Sequence, residues 1–177
     1  RTLVQSQMII FNETTEELRS KDVGRIASQY YILYSTIQIF NHEMKPMASE
    51  ADIFAMISMS GEFDNIQSRD NESKELSKLK EEATPTEIKQ KDASRAKTNI
   101  LLQSYISRGR IEDFALVNDS NYIAQQAARI CRALFMIALN RGWGYQCLVI
   151  LSLCKSIEKR IWSFQHPFHQ FDLPQPV

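Results

Sequence analysis

The chain has 177 residues, is 44% hydrophobic and carries Lys+Arg 21 against Asp+Glu 21, which suits one ordinary domain with a real core. Zero net charge excludes the wholesale basic footprint that grips duplex nucleic acid, so any such contact has to be local. Residues 1–100 hold 13 basic and 16 acidic groups and residues 101–177 hold 8 and 5, so the second half is the place to seek an anionic partner.

Taken in chain order, Met8-Ile-Ile-Phe11 and the polar residues after it read as a short strand, a turn and a weak return strand. Asp22 is expected to cap a helix with Ile26, Tyr30 and Leu33 on one face. Ser35 should cap the next, with Ile37, Ile39 and Phe40 apolar and Pro46 closing it. Ser49-Glu-Ala-Asp52 reads as a capping box with Asp in the Glu place, opening a short helix through Ile53, Met56 and Ile57 that ends near Gly61. A charged helix over 71–82 has Leu76 and Leu79 as anchors. Residues 83–97 then combine Pro85 with alternating charge and few apolar residues, and are expected to be a mobile link. From Thr98 a buried helix runs to Gly109, a longer one follows over 120–140 with Gly142 as its stop, and a last one spans 145–162. Five glycines and five prolines in all favour helices over a many-turned sheet.

The segment over 118–140 is the most informative. At 100° per residue Ile123, Ala127, Ile130, Leu134 and Ile137 line one face, and Ala124, Ala128, Cys131, Phe135 and Leu139 a second, so the helix is expected inside a bundle. One polar stripe remains: Tyr122, Gln125, Gln126, Arg129, Met136 and Asn140, with Arg132 at its edge. An unpaired buried guanidinium costs several kcal/mol, so Arg129 and Arg132 need partners. Either they pair with acids such as Glu112, Asp113 or Asp119, or the stripe faces a channel where Arg holds phosphate or stacks on a base and the amides and Tyr122 touch sugar and base.

Several stretches carry a resemblance. Val23 to Ile32, Glu62-Phe-Asp-Asn-Ile66, Ile100 to Ser107, Arg132-Ala-Leu-Phe135, Asn140-Arg-Gly-Trp143, Lys155 to Trp162 and Pro167 to Pro174 resemble, in order, the Sec-sixty-three homology domain of Ski-two-like helicases. The likeness is to the first cassette of tandem-cassette members, the signal-cointegrator branch ahead of the spliceosomal one. It implies an all-α helical bundle around a long central ratchet helix, residues 119–140. Residues 1–21 would be the end, or wing, of a winged-helix domain, 22–162 the bundle, and 163–177 the start of a helix-loop-helix. It further implies an accessory role in an ATP-dependent nucleic-acid helicase, with RNA as substrate. One strand would pass along Tyr122, Gln125, Gln126, Arg129 and Arg132 in a channel closed by RecA-like and winged-helix domains in cis, with other subunits of a complex as partners. Archaeal relatives place an arginine and, two turns on, a tryptophan on this helix; Tyr122 and Arg129 hold those places here, so the tryptophan is missing.

No Gly-x-x-x-x-Gly-Lys-Ser/Thr occurs, so no cofactor is expected in this part, while the resemblance implies ATP and Mg²⁺ in the parent protein. His166 and His169 read as loop polarity and not as metal ligands, and Trp143 and Trp162 as packing anchors. Cys131, Cys147 and Cys154, set in apolar stretches, read as reduced thiols of the nucleus or cytoplasm, and the run Leu148–Leu153 is far short of the roughly 18 residues a membrane span needs. Both ends read as cuts inside a longer chain, and this part alone is expected to be monomeric. A protein-interaction scaffold is the competing reading. An endoplasmic-reticulum translocation protein is a weaker third.

Overall fold

A computed structural model describes residues 2–171. The first turn, α1 (Thr2–Gln5), leads into a hairpin of β1 (Ile9–Asn12) and β2 (Glu17–Ser20), paired antiparallel with Ile9 opposite Ser20 and Asn12 opposite Glu17. The Asn12 side chain accepts from the Thr14 amide at 2.9 Å, a local turn bond of the kind Asn supplies. The hairpin is seated on α2 (Asp22–Gln29): the Lys21 amide donates to the Met8 carbonyl at 2.9 Å, and a Cβ at Gly24 would lie 2.1 Å from that same oxygen. Only glycine permits so close a backbone crossing.

Two caps differ from expectation. Lys21 occupies the cap of α2 and Asp22 its first turn, where a carboxylate suits the helix dipole. Leu33, not Ser35, occupies the cap of α3 (Tyr34–Glu43). Tyr30 and Leu33 therefore leave the α2 face, because the chain breaks at Tyr31, which takes a left-handed φ of 53°. Ile37 and Phe40 are fully buried. α4 (Glu50–Ser58) opens on the expected capping box: the Asp52 amide donates to Ser49 Oγ at 3.3 Å and the Ser49 amide to Asp52 Oδ2 at 2.9 Å. Single 3-10 turns at Gly61–Phe63 and Asp70–Glu72 lead to α5 (Ser73–Ala83), held to the bundle by buried Leu76 and Leu79.

The link after α5 is shorter and better anchored than its composition suggests. α6 (Ala93–Ile106) begins five residues before Thr98, capped by Asp92, which accepts from the Arg95 amide at 2.9 Å. Residues 84–92 lie as a strap along α6. Gln103 donates to the Thr86 carbonyl at 3.1 Å and accepts from the Thr86 amide at 2.9 Å, satisfying both main-chain polar groups of that residue. Asn99 donates to Gln90 at 2.9 Å, and Gln90 donates to Ser58 at 2.7 Å. The strap thus adds paired amides to one apolar anchor, the partly buried Ile88, and periodicity cannot register such pairs.

α6 is buried through Lys97, Thr98, Asn99, Gln103 and Ser104 as well as its apolar residues. It lies between α4, α5 and the two longest helices, α7 (Phe114–Asn140) and α8 (Gly144–Lys159), which pack along each other. α7 starts six residues earlier than expected. Asp113 caps it, accepting from Ala115 at 2.7 Å and Leu116 at 3.2 Å, and the polar run Asn118–Asn121 lies inside the helix, with Ser120 buried. Ile123, Ala127, Ile130, Leu134 and Ile137 are all at most 1% exposed, as the 100° wheel requires. Gly142, at φ 70°, ends the helix as expected. α8 stops before Trp162 because Arg160 turns left-handed and lays its guanidinium 4.4 Å from the Tyr105 ring. Trp162 still anchors the bundle, 5.7 Å from the Phe54 ring and donating to Ser107 Oγ at 2.8 Å.

Candidate nucleic-acid interface

α7 is positioned from three sides. Its apolar faces meet α6 and α8, its C-terminal half meets α2, and its N-terminal half is tied to α6 by Lys97, whose ammonium lies 2.8 Å from Asp119 and 2.7 Å from Glu72. Lys97 and Glu72 are wholly buried, so this bridge fixes the register of α7 against α6.

The polar stripe survives on the remaining face, with its members differently engaged. Tyr122 is 36% exposed and donates its hydroxyl to the Glu62 carbonyl at 3.1 Å. Gln125 is exposed and its amide makes no hydrogen bond among the described residues. Gln126 accepts from Arg129, and Arg129 also donates to the backbone carbonyls of Tyr30 (3.0 Å) and Tyr31. Among the described residues the Arg129 guanidinium reaches no carboxylate, and its donors meet Gln126 and the bend between α2 and α3. Arg132 does end in a carboxylate, Glu158 of α8 at 2.9 Å, as a surface pair with both side chains more than half exposed. Two of the acids proposed for the arginines are engaged elsewhere: Asp113 caps α7 and Asp119 holds Lys97.

Two features adjoin the stripe that sequence reasoning missed. Tyr31, whose carbonyl Arg129 holds, presents its ring 81% exposed beside the stripe. At the other end, Asn140 opens into a cleft of about 390 Å³ lined by Gln7, Lys21, Asp22, Arg25 and Arg141. Arg141 donates to Asn41 at 2.8 Å and stands 5.0 Å from the Trp143 ring, and partial burial holds its guanidinium below the usual arginine range. Arg25 pairs with Asp22 at 3.5 Å. Neither feature could be found from one helix's periodicity, since each joins segments about a hundred residues apart. The described residues contain no group of three or more His, Cys, Asp or Glu that could hold a metal ion, and no helix long and apolar enough to cross a membrane.

A bundle around one long helix, entered from a small hairpin, is the architecture that the resemblance implied, and residues 20–175 match the Sec63 Brl domain model: the chain belongs to that family. It is 51% identical over 178 residues to the RQC trigger complex helicase SLH1 of Saccharomyces cerevisiae, a match covering 100% of this chain and 9% of that protein. It is 46% identical over 180 residues to human activating signal cointegrator 1 complex subunit 3, and 41% identical over 177 residues to the human U5 small nuclear ribonucleoprotein 200 kDa helicase, covering 99% of this chain and 8% of each relative. The chain therefore spans less than a tenth of the length of these relatives. Both branches expected from the sequence are represented among them.

Proposed function

We propose that the chain is a non-catalytic accessory domain of an ATP-dependent helicase acting on RNA, and that α7 guides the translocating single strand. The observation that carries this reading is the stripe itself: a 27-residue helix whose face from Ile123 to Ile137 is buried and that keeps Tyr122, Gln125, Gln126, Arg129 and Arg132 off that face. Gln125 and the edge of Tyr122 are free for sugar and base, Arg132 supplies a surface cation, and Arg129 acts through the Tyr31 bend, holding an exposed ring where a base can stack. The Lys21, Arg25 and Arg141 cleft continues the path with positive charge.

In this reading residues 1–21 are the wing of a winged-helix domain, 22–162 the bundle and 163–177 the start of a helix-loop-helix, of which 172–177 lie outside the described residues. RecA-like motor domains in cis bind ATP and Mg²⁺ and close the channel. The protein works in the nucleus or cytoplasm with the other subunits of its complex, two of the relatives being named as parts of a trigger complex and a cointegrator complex.

Photo-crosslinking of 4-thiouridine-bearing single-stranded RNA to the full-length protein tests the reading. Crosslinks at Tyr31, Tyr122, Gln125 or Arg132 are the expected result, and crosslinks confined to residues off this face overturn it. The Arg132–Glu158 pair and the exposed Leu139, Tyr145 and Leu148 favour the second reading, a protein-interaction scaffold. That reading predicts no RNA crosslink anywhere on α7.

A further inference from the structure

The three cysteines are not equivalent. Cys131 on α7 is fully buried, Cys154 on α8 is half-buried, and their sulfurs are 3.2 Å apart, while Cys147, also half-buried, makes no such contact. A separation this short means that the two side chains already converge across the α7–α8 contact, with only about 1 Å of further approach needed to reach a bonded distance of roughly 2.05 Å. We propose that Cys131 and Cys154 form a peroxide-sensitive dithiol site, oxidised reversibly to a disulfide that staples α7 to α8.

The two sulfurs have different parts in the reaction. The Cys154 thiol is held below its ordinary range because its thiolate accepts a hydrogen bond from Cys131 and lies in the field of Arg132, an effect that partial burial and Glu158 oppose. Cys131 is pushed well up by the same contact and by burial. Cys154, the sulfur that peroxide can reach from solvent, is the nucleophile, and the fully buried Cys131 is the resolving thiol. The Cys154 thiolate attacks one oxygen of hydrogen peroxide, the O–O bond breaks, and hydroxide leaves and takes a proton to become water. The product is a sulfenic acid at Cys154. The Cys131 sulfur then attacks the sulfenic sulfur, the S–O bond breaks, and the departing hydroxide takes the Cys131 proton as a second water. Two thiols lose two hydrogens and two electrons to one peroxide. A small-molecule thiol reverses the bond by exchange at the half-buried Cys154 sulfur.

The site does not depend on the strand-guiding reading, because its evidence is the α7–α8 contact and not the polar stripe. Treating the purified protein with hydrogen peroxide, alkylating the remaining thiols after denaturation and mapping the peptides tests it. The expected product joins the Cys131 and Cys154 peptides, two hydrogens lighter than their sum, with Cys147 fully alkylated; dithiothreitol abolishes it. Cys131→Ala, checked for folding by circular dichroism, should lose the link and leave Cys154 as a sulfenic acid trapped by dimedone. The wild-type map needs no variant and is decisive alone. Cys147 oxidised ahead of Cys154, Cys154 carried to sulfinic acid without a link, or all three thiols recovered reduced would each overturn the assignment.

Discussion

Lys97 has no place in the sequence-level picture and sits at a fulcrum of the fold. Its ammonium has no exposed surface and is met by Glu72 at 2.7 Å, Asp119 at 2.8 Å and the Gln67 carbonyl at 3.0 Å. Lys97→Met keeps most of the length and removes the charge, leaving a wholly buried Glu72 carboxylate whose other side-chain partner is Arg69 at 3.1 Å. Breaking a buried pair from one side costs roughly 3–5 kcal/mol, because the remaining ion keeps its desolvation penalty and here loses the buried one of its two counter-charges. For a domain of this size each kcal/mol moves the melting temperature by about 2–4 °C, so the variant should melt roughly 6–20 °C lower. Urea unfolding gives the same quantity as a fall in midpoint at unchanged slope. Adding Glu72→Gln should restore part of the loss, since the stranded charge then disappears. A loss under about 1 kcal/mol, the size of an exposed pair, or a double variant that is the sum of the two singles, would refute the reasoning.

The remaining expectations are smaller in scale. Arg129→Ala removes donors from two backbone carbonyls at a partly exposed bend and strands no carboxylate, so it should cost about 1–3 kcal/mol in chemical denaturation, short of the Lys97 loss. It should also loosen Tyr31 and weaken RNA crosslinking there, and an unchanged crosslink would separate the ring from the arginine. Asp52 is held at about 2, below its ordinary 3.8, by Lys89 at 2.7 Å and by the Ser49 cap. Its contribution is complete above about pH 4 and is lost as the pH falls toward 2. Asp52→Asn should therefore flatten that part of the acid stability curve, by less than about 1 kcal/mol because the pair is well solvated.

Legibility in the sequence followed the range of the interactions. The buried face of α7 could be read from Ile123 to Ile137 because one helix turns its own residues inward by a fixed angle. The box at Ser49 and Asp52 spans three residues and was equally plain. The N-terminal ends of α6 and α7 lie outside the sequence expectation because Lys97 and Asp119 look solvated until they are brought together from two helices. The site divides in the same way. The stripe's composition was visible, but the partner of Arg129 is a pair of main-chain carbonyls about a hundred residues away, created by a left-handed tyrosine that no pattern advertises. The pairing of Arg132 with Glu158 needed the α7–α8 register.

The strap over residues 84–92 gives the bundle an asymmetric seam. Beneath it lie Asn99 and Gln103 of α6, both buried and paired with the strap and with one another. If the strap lifts, the polar groups it uncovers are amides that water can serve at once, whereas opening the α7–α8 contact would wet hydrocarbon. The domain is therefore built to breathe on one flank and stay shut on the other. Amide exchange along α6 can proceed by this local route, while α7 keeps its protection until the whole bundle comes apart.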